Sequence, residues 1–182
     1  MNPVQTHELV VLLDDAGRSV GTARKADVHH GATPLHLAFS CYLFDDAGRV
    51  LLTRRALDKR AFPGVWTNSF CGHPAPDEPM DDAVIRRARD ELGVDIAELR
   101  CVLPDFRYRA VDAGGVVENE VCPVFCARSV GPLDADPSEI MDSTWVPWDQ
   151  LRTAIEIPWA ISPWAVEQVP LLAAADVGRP SP

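Results

Sequence analysis

The spacing of a few residues between Gly72 and Val94 narrows the fold of this chain more than any other part of it. Gly72 is followed after five residues by Glu78, after seven more by Arg86, and then by Glu91, one residue, Gly93 and Val94. Asp81 to Leu92 reads as a helix. Val84, Ile85, Ala88 and Leu92 supply an apolar stripe, Asp81 and Asp82 sit at the positive end, and Gly93 stops it. Arg87 and Glu91, four apart, share a face. An ordinary amphipathic helix accounts for residues 81–92 alone, but not for the glycine and glutamate fixed ahead of it. From Phe62 to Pro79 the chain is aperiodic and rich in Pro, Gly, Asn, Ser, Trp and His. Long irregular segments inside a domain are more often functional than idle.

Upstream, two apolar runs, Glu8–Leu13 and Leu35–Phe44, each end in Asp-Asp-Ala-Gly and are followed by Arg18–Arg24 and Arg49–Arg55. Each reads as strand, tight turn with glycine at positive φ, strand. Downstream, Asp105–Ala110 and Val116–Arg128 read as strands flanking Gly114-Gly115, with Glu118, Glu120 and Cys122 on one face. Asp149–Glu156 and Ala165–Leu172 are short helical segments around an aromatic, proline-rich stretch, Trp159–Trp164. No linker divides the chain. The expectation is one α/β (α+β) domain over residues 1–172, with mixed or antiparallel sheets flanked by helices, and a disordered tail over 173–182.

Charge and cysteines limit the partners. Seventeen Lys plus Arg against twenty-seven Asp plus Glu give a formal charge of −10, so no general field draws nucleic acid or anionic lipid. Phosphate, if bound, needs a local pocket, and the chain's only two lysines are Lys25 and Lys59. Five cysteines with no CxxC pair suit a reducing compartment. No apolar run approaches the roughly 20 residues of a membrane span. A cytoplasmic protein, monomer or homodimer, with no membrane or nucleic-acid partner is expected.

The spacing from Gly72 to Val94 resembles the Nudix box, whose loop–helix–loop places carboxylates around a divalent cation on a diphosphate. Here the box reads Arg86-Arg87 and Asp90-Glu91, so Arg87 stands where the box has a metal-binding glutamate. A guanidinium there repels metal and attracts phosphate, which turns the helix from cleaving a diphosphate toward holding one. Further motifs sharpen the resemblance to the type 1 isopentenyl-diphosphate isomerases, a Nudix branch. They are Thr53–Lys59, Trp66–Pro74, Phe106–Ala110, Val117–Pro123 and Pro158–Trp164, recurring in order over about His7 to Gln168.

The resemblance implies a reaction that moves an unactivated double bond of a five-carbon diphosphate through a tertiary carbocation. That chemistry needs an acid and a base on opposite sides of a flat substrate, an electron-rich wall and exclusion of water. By resemblance Cys71 and Glu120 are the proton-transfer pair, Tyr108 assists Glu120, and Trp164 is the wall. Lys25, Arg55, Lys59 and Arg87 are the implied diphosphate cations. His29, His36, His73, Glu118 and Glu120 are the implied first metal site, for Mn²⁺, Zn²⁺ or Mg²⁺, with His30 an alternative to its neighbour His29. A second ion, Mg²⁺, is implied at Glu91 with the substrate diphosphate. Two other readings stay open from the residues alone: a Nudix pyrophosphohydrolase, and a non-enzymatic diphosphate-binding domain.

Overall fold

A computed structural model of the chain describes residues 8–177. In chain order the elements begin with β1 (Leu9–Leu13), β2 (Ser19–Arg24), α1 (Lys25–Val28), β3 (His36–Leu37), β4 (Phe39–Phe44) and β5 (Arg49–Arg55). β6 (Trp66–Thr67), β7 (Phe70–Gly72), α2 (Met80–Leu92), β8 (Asp95–Leu103) and β9 (Arg107–Val111) follow. β10 (Val117–Val121), β11 (Val124–Val130), β12 (Ile140–Pro147), α3 (Trp148–Ala154) and α4 (Pro163–Ala174) complete the domain.

The two predicted turns form with the same chemistry. Asp14 and Asp45 each accept from the backbone two and four residues on, and Gly17 and Gly48 take φ of 77° and 73°. The strands assemble into two mixed sheets, ordered β2-β1-β3-β10-β9 and β12-β5-β4-β11-β8, with β6 on β5 and β7 on β4.

Two long strands expected from the sequence are each broken, and this creates the site. Leu35–Phe44 leaves the first sheet as β3 and enters the second as β4 after Ala38. Val116–Arg128 does the same as β10 and β11. Pro123 has no N–H to continue a ladder, so the second break falls there. The two chains cross together, parallel, with Glu120 opposite His36 and Val124 opposite Ser40. Ala38 N–H donates to Val121 O at 2.9 Å across the seam.

β4 is buried on both faces, which explains its continuous apolar run. Phe39, Cys41 and Leu43 pack on the α2 side with Ala83, Val84, Ala88 and Leu92. Tyr42 packs on the other side with Trp148, Trp164, Val169 and Leu172. α1, β6, β7, β8 and β12 lie outside the elements expected from the sequence; β8 and β12 lie at sheet edges and carry a mix of buried and exposed residues. The expected tail is corrected over 173–177: α4 continues to Ala174, and Val177 is buried in the core. Residues 178–182 lie outside the described ones. No helix among the described residues is long and apolar enough to cross a membrane.

Candidate functional site

The loop–helix–loop is stapled by the residues whose spacing marked it. Arg86 makes a fork to Glu78, both bonds 2.8 Å, and reaches His73 O at 3.3 Å. Glu78 also accepts from Ala75 N–H at 2.7 Å. Glu78 and Arg86 therefore hold the loop that carries His73 against α2. Gly93 closes the helix in the left-handed region, φ 62°, where a side chain would strike the Asp134 carbonyl. Gly72 is required by proximity: a Cβ there would lie 2.8 Å from both Arg87 Cγ and Phe39 Cζ.

At the seam, nitrogen or oxygen atoms of His29, His36, His73 and Glu120 all lie within 4.8 Å of one another. His29 belongs to this quartet; His30 is exposed and accepts from Ala32 N–H. Glu118 sits beside the quartet, its Oε2 3.2 Å from His29 Nε2. His36 Nδ1 lies 2.9 Å from Pro34 O and can donate to it, so Nε2 faces inward, where it donates to Glu120 while protonated and would offer a lone pair to a metal once that proton is lost. His36 Nε2 and His73 Nε2 are 3.2 Å apart, and both face Glu120 Oε1 at 3.4 and 3.3 Å. Buried His73 Nδ1 has no hydrogen-bond partner, and buried Glu118 Oε2 has only the His29 ring beside it, without hydrogen-bond geometry. Three ring nitrogens and a carboxylate oxygen converging in a buried site fit a divalent cation of intermediate hardness, which would take the place of the protons they now share.

Burial strongly disfavours charge on His73, and the neighbouring Glu120 does not offset it, so its pKa falls to about 3. Burial also opposes the charge on Glu120, but hydrogen bonds from His36 and His73 overcome this and hold its carboxyl well below the usual range. Glu118 goes the other way: burial, then the Glu120 charge, raise it.

His29, His73 and Glu120 of the quartet, with Glu118, line one side of a cavity of about 280 Å³ that is also lined by Cys71, Tyr108 and Trp164. Cys71, on β7, pairs in register with Ser40 on β4. Its thiol is pushed up to about 12, chiefly by burial. Tyr108 lies opposite Glu120 in the β9–β10 register, and burial followed by the Glu120 charge raises its phenol well above the usual value. Trp164 is held by an Nε1–H bond of 2.8 Å to Asn68 Oδ1, and the Arg55 guanidinium stands 5.8 Å over its ring. The ring face is thus already turned to a cation.

Lys25, Arg55, Lys59 and Arg87 line the same cavity, together with Glu91. Arg87 is buried with its Nε 3.0 Å from Glu91 Oε1 and its Nη2 3.4 Å from Glu139 Oε1. Lys59 pairs with the second Glu139 oxygen, and Lys25 with Glu8 at 2.7 Å. Burial opposes the charge of Glu139, but Lys59 and Arg87 hold its pKa at about 2. All the residues expected in the site therefore line one cavity, except His36, which enters through the quartet. Glu8 and Glu139 were not singled out from the sequence; neither lies in a spaced motif, and Glu139 arrives from the loop before β12.

The NUDIX domain family matches residues 34–167. An isopentenyl-diphosphate Delta-isomerase of Mycolicibacterium vanbaalenii is 70% identical over 179 residues, 98% of this chain and 99% of that protein. One from Agromyces mediolanus is 57% identical over 94% of this chain and 84% of its own length. Among solved structures, DR0079 from Deinococcus radiodurans superposes with a TM-score of 0.69 at 20% identity, over 89% of this chain and 97% of that one. A MutT protein from Methanosarcina mazei gives 0.59 at 16% identity, over 79% and 94%. The two structural likenesses bear on the fold alone.

Proposed function

The chain belongs to the Nudix superfamily and, within it, to the type 1 isopentenyl-diphosphate isomerases; from that footing we propose that it converts isopentenyl diphosphate to dimethylallyl diphosphate, with Cys71 and Glu120 as the proton-transfer pair. The observation that carries this reading is that the Cys71 thiol, the Glu120 carboxyl and the Trp164 ring line one cavity, with burial raising the thiol and hydrogen bonds from the histidines lowering the carboxyl.

In the forward direction the S–H bond of Cys71 breaks and its proton adds to C4. The alkene π pair becomes the new C–H bond, and C3 is left as a tertiary cation beside Trp164. Glu120 takes a proton from C2, and that C–H pair becomes the new double bond. Burial keeps Cys71 a thiol and so an acid; its histidine neighbours keep Glu120 ionised and so a base. The reverse reaction exchanges the two roles, and proton exchange with water between turnovers resets both. Tyr108 stays protonated and supports the Glu120 carboxyl from the neighbouring strand.

His29, His36, His73, Glu118 and Glu120 would hold Mn²⁺, Zn²⁺ or Mg²⁺, which when bound fixes Glu120 and favours its ionised form. Glu91 would meet Mg²⁺ carried by the substrate diphosphate, whose oxygens fall to Lys25, Arg55, Lys59 and Arg87. Arg87 in place of a carboxylate favours holding the diphosphate over cleaving it.

The test incubates isopentenyl diphosphate with the protein and Mg²⁺ in D₂O and follows the products by NMR. Deuterium is expected in the product methyl first and at C2 as the reverse reaction runs. Release of phosphate or pyrophosphate without any isomer would replace this reading with that of a hydrolase. Binding without turnover would leave a diphosphate-binding domain.

A further inference from the structure

Behind Cys71, outside the cavity lining, a chain of polar side chains is sealed in the core. Ser40, Tyr42, Asn68 and Gln168 are all 0% exposed. The Tyr42 hydroxyl donates to Gln168 Oε1 at 2.9 Å, and Gln168 Nε2 donates to Ser40 Oγ at 3.0 Å. Ser40 Oγ in turn lies 3.5 Å from Cys71 Sγ and 3.4 Å from Cys122 Sγ.

The polarity of this chain is fixed by counting protons. Turning the Gln168 amide over would leave the Tyr42 hydroxyl proton unpaired in a dry core, a costly arrangement. The amide N–H therefore faces Ser40, whose oxygen accepts it, and the single Ser40 proton is left for sulfur. Cys71 points its own proton elsewhere, to Asn68 Oδ1 at 3.3 Å. Asn68 cannot rotate, because its Nδ2 donates to the carbonyls of Cys41 and Phe70. Cys71 therefore offers lone pairs, not its proton, to Ser40.

We propose that Ser40 donates a hydrogen bond to the Cys71 sulfur as that sulfur gives up its proton, and that Gln168 and Tyr42 are positioning residues that hold Ser40 in this polarity. The inference rests on the assignment of Cys71 made above. When the S–H bond breaks, its electron pair stays on sulfur and the proton goes to the substrate carbon; the Ser40 O–H stays intact. In the resting protein the hydroxyl is shared between two sulfurs, so it can turn fully to Cys71 as charge develops there. The donor is already buried and needs no water to rearrange. Because Gln168 and Trp164 sit on the same helix, α4 places both the donor relay and the aromatic wall.

The test measures kcat and KM for isopentenyl diphosphate with Mg²⁺ in Ser40→Ala, Ser40→Thr, Tyr42→Phe and Cys71→Ala. It also records the infrared S–H stretch of Cys71, isolated by subtracting the Cys71→Ala spectrum. Ser40→Ala is expected to lower kcat about 10- to 100-fold with KM little changed, as for loss of one donor to a developing charge. Ser40→Thr keeps the hydroxyl and should recover most of that loss. Tyr42→Phe lets the Gln168 amide turn, so that Ser40 donates to it instead of to sulfur. Its kcat should fall too, although Tyr42 touches neither the thiol nor the cavity, and the S–H band should shift in both Ser40→Ala and Tyr42→Phe. Should Ser40→Ala fail to fold, Tyr42→Phe and the band decide the matter. Wild-type kcat with an unshifted band, or Ser40→Thr no better than Ser40→Ala, overturns the proposal. Full turnover by Cys71→Ala would instead sink the reading of Cys71 itself; an inactive Cys71→Ala beside a fully active Ser40→Ala sinks only the donor.

Discussion

Replacing Gly72 by alanine tests whether the fold and the proposed diphosphate site share one packing contact. The added methyl would sit 2.8 Å from Arg87 Cγ, 2.8 Å from Phe39 Cζ and 2.9 Å from Phe39 Cε1. The backbone itself raises no objection, since Gly72 is not among the residues at positive φ. Phe39 cannot step aside: it is fully buried and packed edge-on against Phe70 and Phe125. Arg87 has a flexible stem, but its guanidinium is held by Glu91 and Glu139. Overpacking of this kind costs about 1–3 kcal/mol. At about 2–4 °C per kcal/mol for a domain of this size, Gly72→Ala should melt roughly 2–12 °C lower. Because relief comes mostly from the Arg87 stem, KM for isopentenyl diphosphate should rise while kcat changes less. Thermal unfolding by circular dichroism and steady-state kinetics on the same preparation measure both. A melting temperature within about 1 °C of wild type would show that the helix can slide at this point, and the packing argument would fail.

Cys71→Ala and Glu120→Gln should each abolish isomerisation while inorganic pyrophosphate, titrated calorimetrically with Mg²⁺, still binds; unchanged turnover in either variant refutes its assignment. His36→Gln removes one inward lone pair and leaves Pro34 O without its donor, so bound Mn²⁺ or Zn²⁺ after gel filtration should fall well below the wild-type stoichiometry by elemental analysis. Retention of a full equivalent would place the metal elsewhere. Glu139 has a folded pKa of about 2 against an ordinary 4.5, so between those values the unfolded chain binds more protons and stability is lost as pH falls. Glu139→Gln should therefore cost about 1.5–3 kcal/mol near neutrality. That difference should shrink in urea unfolding as the pH drops from 4.5 toward 2; a difference independent of pH contradicts the pairing.

The local features of this fold were legible because each has a local cause. The Asp-Asp-Ala-Gly turns, the α2 boundaries and the Gly93 stop follow from side chains acting on backbone within a few residues. What the sequence hid was set by contacts between distant segments. Residues 35–44 read as one strand because both halves are apolar, yet Ala38 marks a change of sheet imposed by the partner strand, whose ladder ends at Pro123. His29 and His30 are adjacent and alike in sequence; only the turn around Thr33, which accepts from His30 N–H at 2.9 Å, separates the buried ring from the exposed one. Glu139 belongs to no spaced pattern, and its importance appears only when Lys59 and Arg87, from two other elements, arrive beside it.

The charges around Arg87 also bear on how so acidic a chain would take a diphosphate at the proposed site. Lys25, Lys59 and Arg87 are matched in the site by Glu8, Glu91 and Glu139, three positive against three negative. Such a cluster stays folded and buried without ligand, because no cation is left uncompensated in low dielectric. It also means that a diphosphate entering the proposed site would meet a local charge near zero, not the repulsion expected from the formal −10 of the whole chain. Arg55 tips the balance: it gives its Nε and Nη2 to Ala61 O, not to a carboxylate, and keeps its charge toward the cavity. Were residue 87 a glutamate, as in the Nudix box, the same cluster would be two against four and would require metal simply to remain buried. In the resting protein Arg87 thus compensates Glu91 and Glu139, as a bound cation would.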